Sequence, residues 1–176
     1  ELMCIDVDDG SELWSARIGS EYENNWGNGP RSTPTVDGSQ VYALGAEGDL
    51  VCIHGSDGSE LWRINLQDLG GDIPQWGYSE SVLVDGERVL CTPGGSQGAI
   101  AALDRKTGEV LWQTSELEDE AHYSSIIKAA PNGISQYIQL LVGRLVGLEP
   151  DSGKVLWEIP WPGRMAVIPT PLTFEN

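Results

Sequence analysis

Three cysteines and two histidines, with one serine between glycines and one acidic run, are the residues of this chain whose types and spacing invite chemistry. Gly94-Gly95-Ser96-Gln97-Gly98 matches the Gly-x-Ser-x-Gly pattern of serine hydrolases, whose nucleophile sits on a strained turn between a strand and a helix. Here the flanking segments Arg88–Cys91 and Ala99–Leu103 both read as strands, so the pattern is expected to be a hairpin loop. His54 and His122 lie in different contexts, and neither belongs to a His-x-x-x-His pair or a carboxylate cluster at metal spacing. Asp6-Val7-Asp8-Asp9-Gly10 is acidic like a calcium loop but lacks the frame and the closing Glu of one. Cys4, Cys52 and Cys91 are far apart, form no Cys-x-x-Cys-His haem site and stand where small residues stand elsewhere in the chain, so they read as core residues. No metal site and no catalytic constellation is expected from these groups.

The elements that must position any site are short strands. A 40% hydrophobic content in 176 residues suffices for a normal core, and 22 Gly with 10 Pro favour many tight turns over long helices. Acidic residues outnumber basic ones 27 to 10, and the net charge of −17 repels phosphate backbones and anionic lipid, which argues against nucleic-acid binding. No apolar run approaches the roughly 18 residues of a membrane helix. The chain opens on Glu1 and enters strand-like residues at once, so a signal peptide would lie upstream.

A repeat dominates the sequence. Gly10-Ser11-Glu12-Leu13-Trp14, Gly58-Ser59-Glu60-Leu61-Trp62, Gly108-Glu109-Val110-Leu111-Trp112 and Gly153-Lys154-Val155-Leu156-Trp157 share one pattern, and their tryptophans are 48, 50 and 45 residues apart. Within one period four apolar runs alternate with turn signals: Thr33–Asp37, Gln40–Leu44, Gly48–Ile53 and Glu60–Ile64. Asp37-Gly38, Asp85-Gly86 and Asn132-Gly133 are hairpin signals, since Gly reaches positive φ without a Cβ clash. A four-stranded antiparallel sheet at this period cannot bury both faces alone, and stacking of such sheets about an axis gives a β-propeller. The expected fold is therefore all-β, an incomplete propeller ring of about three full blades and two partial ones. Its parts are the end of a blade over 1–18, full blades over 33–66, 80–115 and 124–161, and the start of another over 167–176.

Extended backward, the third copy reads Ala102-Leu103-Asp104-Arg105-Lys106-Thr107-Gly108-Glu109-Val110-Leu111-Trp112. It resembles the tryptophan-docking motif of quinoprotein dehydrogenase propellers, Ala-x-Asp-x-x-Thr-Gly-x-x-x-Trp, at every specified position. The other copies open on Cys4, Cys52 and Gly147, and carry Asp6, His54 and Glu149 in the acidic place. Gly29–Pro34 and Pro74–Ser81 resemble secreted bacterial PQQ-like propellers, a family that includes lipoprotein-like propellers of outer-membrane assembly and polyvinyl-alcohol dehydrogenase. The resemblance implies that Trp14, Trp62, Trp112 and Trp157, with Gly10, Gly58, Gly108 and Gly153, are structural staples between blades. It also implies a periplasmic or secreted location, and further blades of the same ring beyond this chain.

Before each innermost strand comes a segment rich in aromatic, hydroxyl and charged residues, and in a propeller such segments meet at one mouth of the central channel. The candidate ligand or partner surface is Trp26, Arg31, Ser32, Trp76, Tyr78, Glu80, His122, Tyr123 and Arg164. The favoured function is a non-catalytic binding or scaffold module of the bacterial envelope, taking a small ligand or an envelope protein, with no cofactor held in this segment. The alternative implied by the resemblance is a PQQ-dependent alcohol or polyvinyl-alcohol dehydrogenase using a quinone beside calcium, for which Glu80 is the one mouth carboxylate that could act as base. The adjacent cysteine pair of quinoprotein alcohol dehydrogenases is absent from this segment.

Overall fold

The computed structural model describes residues 1–174. Among the described residues, fourteen strands form a two-stranded sheet and three four-stranded sheets, each an antiparallel meander in chain order. The two-stranded sheet is β1 (Leu2–Ile5) and β2 (Glu12–Ala16). The first full sheet is β3 (Thr35–Asp37), β4 (Gln40–Leu44), β5 (Asp49–His54) and β6 (Glu60–Asn65). The second is β7 (Leu83–Asp85), β8 (Arg88–Cys91), β9 (Ala101–Asp104) and β10 (Val110–Gln113). The third is β11 (Ile127–Ala129), β12 (Gln136–Leu140), β13 (Arg144–Leu148) and β14 (Val155–Pro160).

The hairpin signals act as turn chemistry requires. Asp37 pairs with Gln40 and Asp85 with Arg88, and Gly38 and Gly86 both adopt φ +60° inside the two-residue loops. The Gly94–Gly98 segment is the loop between β8 and β9, with no helix after it. Residues 161–174 carry no strand, and Pro169 and Pro171 have no N–H to give to a ladder. The expected start of a blade over 167–176 falls partly on 175–176, outside the described residues.

The sheets stack face on face, and their cores lie between them. Leu2, Trp14 and Ala16 pack on Val41, Ala43, Val51 and Ile53. Tyr42, Leu44, Leu50, Cys52 and Trp62 pack on Val89, Cys91, Ala101 and Leu103. Leu90, Ile100, Ala102 and Trp112 pack on Tyr137, Val146 and Leu148. Successive residues of the middle strands thus face opposite neighbours, which is why those strands read as continuous apolar runs instead of alternating ones. Cys52 and Cys91 are buried free thiols and Cys4 a half-buried one, all in the small positions the repeat assigns them.

The repeated motif forms each boundary. The indole N–H of Trp14 donates to the Gly55 carbonyl at 3.0 Å, that of Trp62 to Arg105 at 2.8 Å, and that of Trp112 to Pro150 at 3.1 Å. Each acceptor lies three residues before the motif glycine of the next sheet, and each ring covers that glycine. A Cβ on Gly58, Gly108 or Gly153 would meet indole atoms at 2.7, 2.8 and 2.4 Å, so only glycine fits. The acid of the motif caps the turn: Asp104 Oδ1 accepts from the N–H groups of Lys106 and Thr107, and Glu149 from Ser152. His54 can replace it because its Nδ1 also accepts, from Ser56. The small opening residue faces the tryptophan across the strands, as the pairs Cys4–Trp14, Cys52–Trp62, Ala102–Trp112 and Gly147–Trp157 show. Among the described residues no helix is long and apolar enough to cross a membrane.

Candidate functional site at the channel mouth

The connections that run from an outer strand to the next inner strand all arrive at one end of the stack. A ladder of hydroxyls aligns them where the inner strands begin. The Thr33 N–H donates to Ser81 Oγ at 3.2 Å, the Ser81 N–H to Ser125 Oγ at 2.9 Å, and the Ser125 N–H to Thr170 Oγ1 at 3.3 Å. One hydroxyl residue per repeat therefore ties each connection to the next, an arrangement that a scan for catalytic motifs passes over.

Above this ladder, Arg31 reaches across the boundary between the first and second full sheets. Its Nε donates to the Trp76 carbonyl at 2.7 Å and its Nη2 to Gly27 at 2.9 Å, while the guanidinium lies 5.5 Å from the centre of the Tyr22 ring. These bonds and the cation–π contact hold a charged side chain in one pose at the surface. Across the boundary between the second and third full sheets the Trp76 and Tyr123 rings are tilted by 44° with centres 5.7 Å apart, and Tyr123 in turn meets His122 at 5.3 Å. The Val167 N–H donates to His122 Nδ1 at 3.1 Å, and the Tyr123 N–H donates to the Val167 carbonyl at 3.0 Å. An accepting Nδ1 leaves the proton on Nε2, and burial holds the imidazole below its ordinary pKa, in the same direction, against a smaller opposing influence of Glu120.

Two adjoining hollows result. Trp26, Arg31, Trp76, Tyr123, Ala166 and Ile168 line an apolar groove. Beside it, a pocket of about 300 Å³ is lined by residues that include Asp72, Trp76, His122, Tyr123, Arg164 and Met165. Trp26 is 83% exposed, a large indole left facing water at the rim. Flat aromatic walls, a fixed cation and a neutral imidazole donor suit the recognition of a ring or a peptide side chain. Ile168, Ala166, Met165 and Gln75 complete these walls; their only sequence signal was phase, since they fall in the same part of the repeat as the residues singled out.

Six of the nine expected surface residues meet here: Trp26, Arg31, Trp76, His122, Tyr123 and Arg164. Ser32, Tyr78 and Glu80 do not, and the expectation for them is corrected. Ser32 Oγ donates to the Leu44 carbonyl inside its own sheet. Tyr78 is buried, its N–H given to the Ala46 carbonyl at 2.8 Å and its hydroxyl to Pro93 at 2.9 Å. Glu80 is 2% exposed; its Oε1 accepts the Thr92 N–H, and its Oε2 has no partner. Loss of hydration pushes its pKa up to about 7, against the lowering influence of the Thr92 bond. The reason is register: the connection turns inward after Gly77, so the residues just before β7 already belong to the core between sheets. Among the described residues no three His, Cys, Asp or Glu side chains stand together as a metal shell. With Glu80 sealed behind Thr92 as well, the residues present do not fit a calcium-bound quinone.

Stacked four-stranded antiparallel sheets, joined at each boundary by a docked tryptophan, define a PQQ-like β-propeller, here an incomplete ring. Residues 1–166 match the family model described as outer membrane protein assembly factor BamB, and the chain belongs to that family. BamB from Moraxella catarrhalis is similar in structure at a TM-score of 0.57 and 17% identity, over 85% of this chain and 40% of that one. A quinohemoprotein alcohol dehydrogenase from Comamonas testosteroni is similar at 0.62 and 16%, over 84% and 22%. The computationally designed Ika4 protein is similar at 0.58 and 16%, over 95% and 88%. At such identities the likeness concerns the fold alone, and this chain spans less than half the length of the two natural structures. No curated protein matches the chain.

Proposed function

We propose that this chain is part of a non-catalytic binding or scaffold propeller of the bacterial cell envelope, offering its mouth groove to an envelope protein or a small ligand. The observation that carries this reading is a division of labour at the mouth. Aromatic and cationic groups that can recognise a partner face the solvent, whereas Glu80, the carboxylate that could have served as a base, points into the core. Family membership supports an envelope setting, and the net charge of −17 opposes a triply anionic quinone.

The test is a calorimetric titration of the intact protein with PQQ and Ca²⁺, beside alcohol-dependent dye reduction, for the parent and for Trp76→Ala, Arg31→Ala and Glu80→Gln. The expected result is no saturable quinone binding and no dye reduction. Binding at about micromolar strength or tighter, weakened by the three substitutions and coupled to dye reduction lost in Glu80→Gln, would establish the dehydrogenase instead.

A further inference from the structure

The pocket beside the aromatic groove lies between connections whose sheets are all present in this chain. Asp72 and Trp76 belong to the connection between the first and second full sheets, Glu120, His122 and Tyr123 to that between the second and third, and Gly95 to the β8–β9 loop. The Gly95 N–H donates to the Asp119 carbonyl at 3.0 Å and so seats the second of these connections on that loop. The two connections have one sign of charge. Residues 66–82 hold Asp68, Asp72 and Glu80 and no Lys or Arg, and residues 114–126 hold Glu116, Glu118, Asp119 and Glu120 and again no Lys or Arg. Glu80 is sealed in the core, and Asp119 pairs with Arg144 at 3.3 Å. Asp72 and Glu120 remain on the pocket wall, both exposed, and no ion pair among the described residues includes either. Arg164 is the one cation in the lining. Trp76 and Tyr123 line both the pocket and the apolar groove, so the two hollows share a wall. Among the described residues no cation lies over either ring, since Arg31 makes its cation–π contact on Tyr22.

We propose that the mouth takes a segment of a partner protein in which a Lys or Arg stands beside a large apolar residue, the cation seated in the pocket and the apolar side chain in the groove. The inference rests on the binding role proposed above and gives the partner its chemistry. Asp72 and Glu120 meet the cation from two different connections, and Trp76 adds an indole, the ring on which a cation–π contact is strongest. A net charge of −17 draws a basic segment toward this mouth and turns an acidic one away. A small amine would fill the pocket and leave the groove to water, whereas a peptide fills both and offers backbone carbonyls to the donors of Arg164 and His122.

Fluorescence anisotropy of end-blocked, labelled peptides on the intact protein tests this. The peptides are Gly-Leu-Lys-Phe-Arg-Leu-Gly, the same with Glu in place of Lys and Arg, and the same with Ser in place of Leu and Phe. The expected result is saturable binding of the first alone, weakened by added salt and, as for exposed charges at a rim, about threefold or more by Asp72→Asn combined with Glu120→Gln. Trp76→Ala should also weaken it, and Arg164→Gln should leave it equal or tighter. Asp72 and Glu120 are exposed, so their substitution tests the contact without disturbing the core, and circular dichroism reports the fold of every variant. A preference for the acidic peptide, equal binding of all three, or binding that neither the carboxylate pair nor Trp76→Ala weakens would overturn the proposal. Binding of none of them would overturn it too, while a covalent adduct from a photo-reactive side chain at Trp26 would still uphold the mouth as a binding place.

Discussion

Glu80 couples folding to pH through a single buried carboxyl group. Its folded pKa of about 7 lies above its ordinary value of 4.5, so between the two the folded chain holds a proton that the unfolded chain has released. Stability therefore falls as pH rises through that window, and below it the group costs nothing. The full span corresponds to roughly 3 kcal/mol. Glu80→Gln removes the titration, so the stability of the variant relative to the parent should improve by about 2–3 kcal/mol between about pH 5 and pH 8 in urea unfolding. A gap that does not change with pH would mean that Glu80 is hydrated in the folded chain. Cys91 and Tyr78 line the same interior and are held protonated by loss of hydration, so they stay neutral across the window, and the Glu80 charge adds to the effect once that group ionises. None of this was legible in the sequence. Glu80 sits in a polar, aromatic segment between strands, where no periodicity tells an inward side chain from an outward one.

At the scale of the element, the docked tryptophan and its glycine are one unit split between two sheets. Trp62 is buried over Gly108, and Trp62→Ala should cost about 3–5 kcal/mol in chemical denaturation, as for other large core truncations. A loss under about 1 kcal/mol would contradict the placement of the ring. The glycines separate backbone from packing. Gly10 and Gly108 have φ of +74° and +75°, but only Gly108 lies beneath an indole. In the 176-residue chain by itself, Gly10→Ala should therefore cost about 1 kcal/mol for the backbone alone, and Gly108→Ala at least about twice that. Equal costs would mean that the ring does not press on the turn. This level was the most legible in the sequence, because one residue type recurred at one phase: the Gly-to-Trp spacing located the turns, and the Asp-Gly pairs located the hairpins. The small residue opening each motif also acquired a reason, since it is the cross-strand partner of the tryptophan. The hydroxyl ladder was not legible, since Thr33, Ser81, Ser125 and Thr170 are common loop residues whose alignment appears only once the sheets are stacked.

For the whole molecule, stacking brings segments about one repeat apart to a single mouth, and the role proposed for that mouth is binding. Trp26, Arg31, Trp76 and Tyr123 come from three successive connections and meet only because the sheets are arranged about an axis. The common phase of Trp26, Arg31, Trp76 and Tyr123 was legible from the repeat; the inward course of Tyr78 and Glu80 was not. The most direct measurement places a photo-reactive side chain at Trp26, on the mouth, or at Leu61, on the outer strand β6, in the full-length protein within its own cells. A discrete covalent adduct from the Trp26 position, absent from the Leu61 position and lost on Arg31→Ala, is the expected result. Adducts equal at both positions, or unaffected by Arg31→Ala, would contradict a binding role for the mouth.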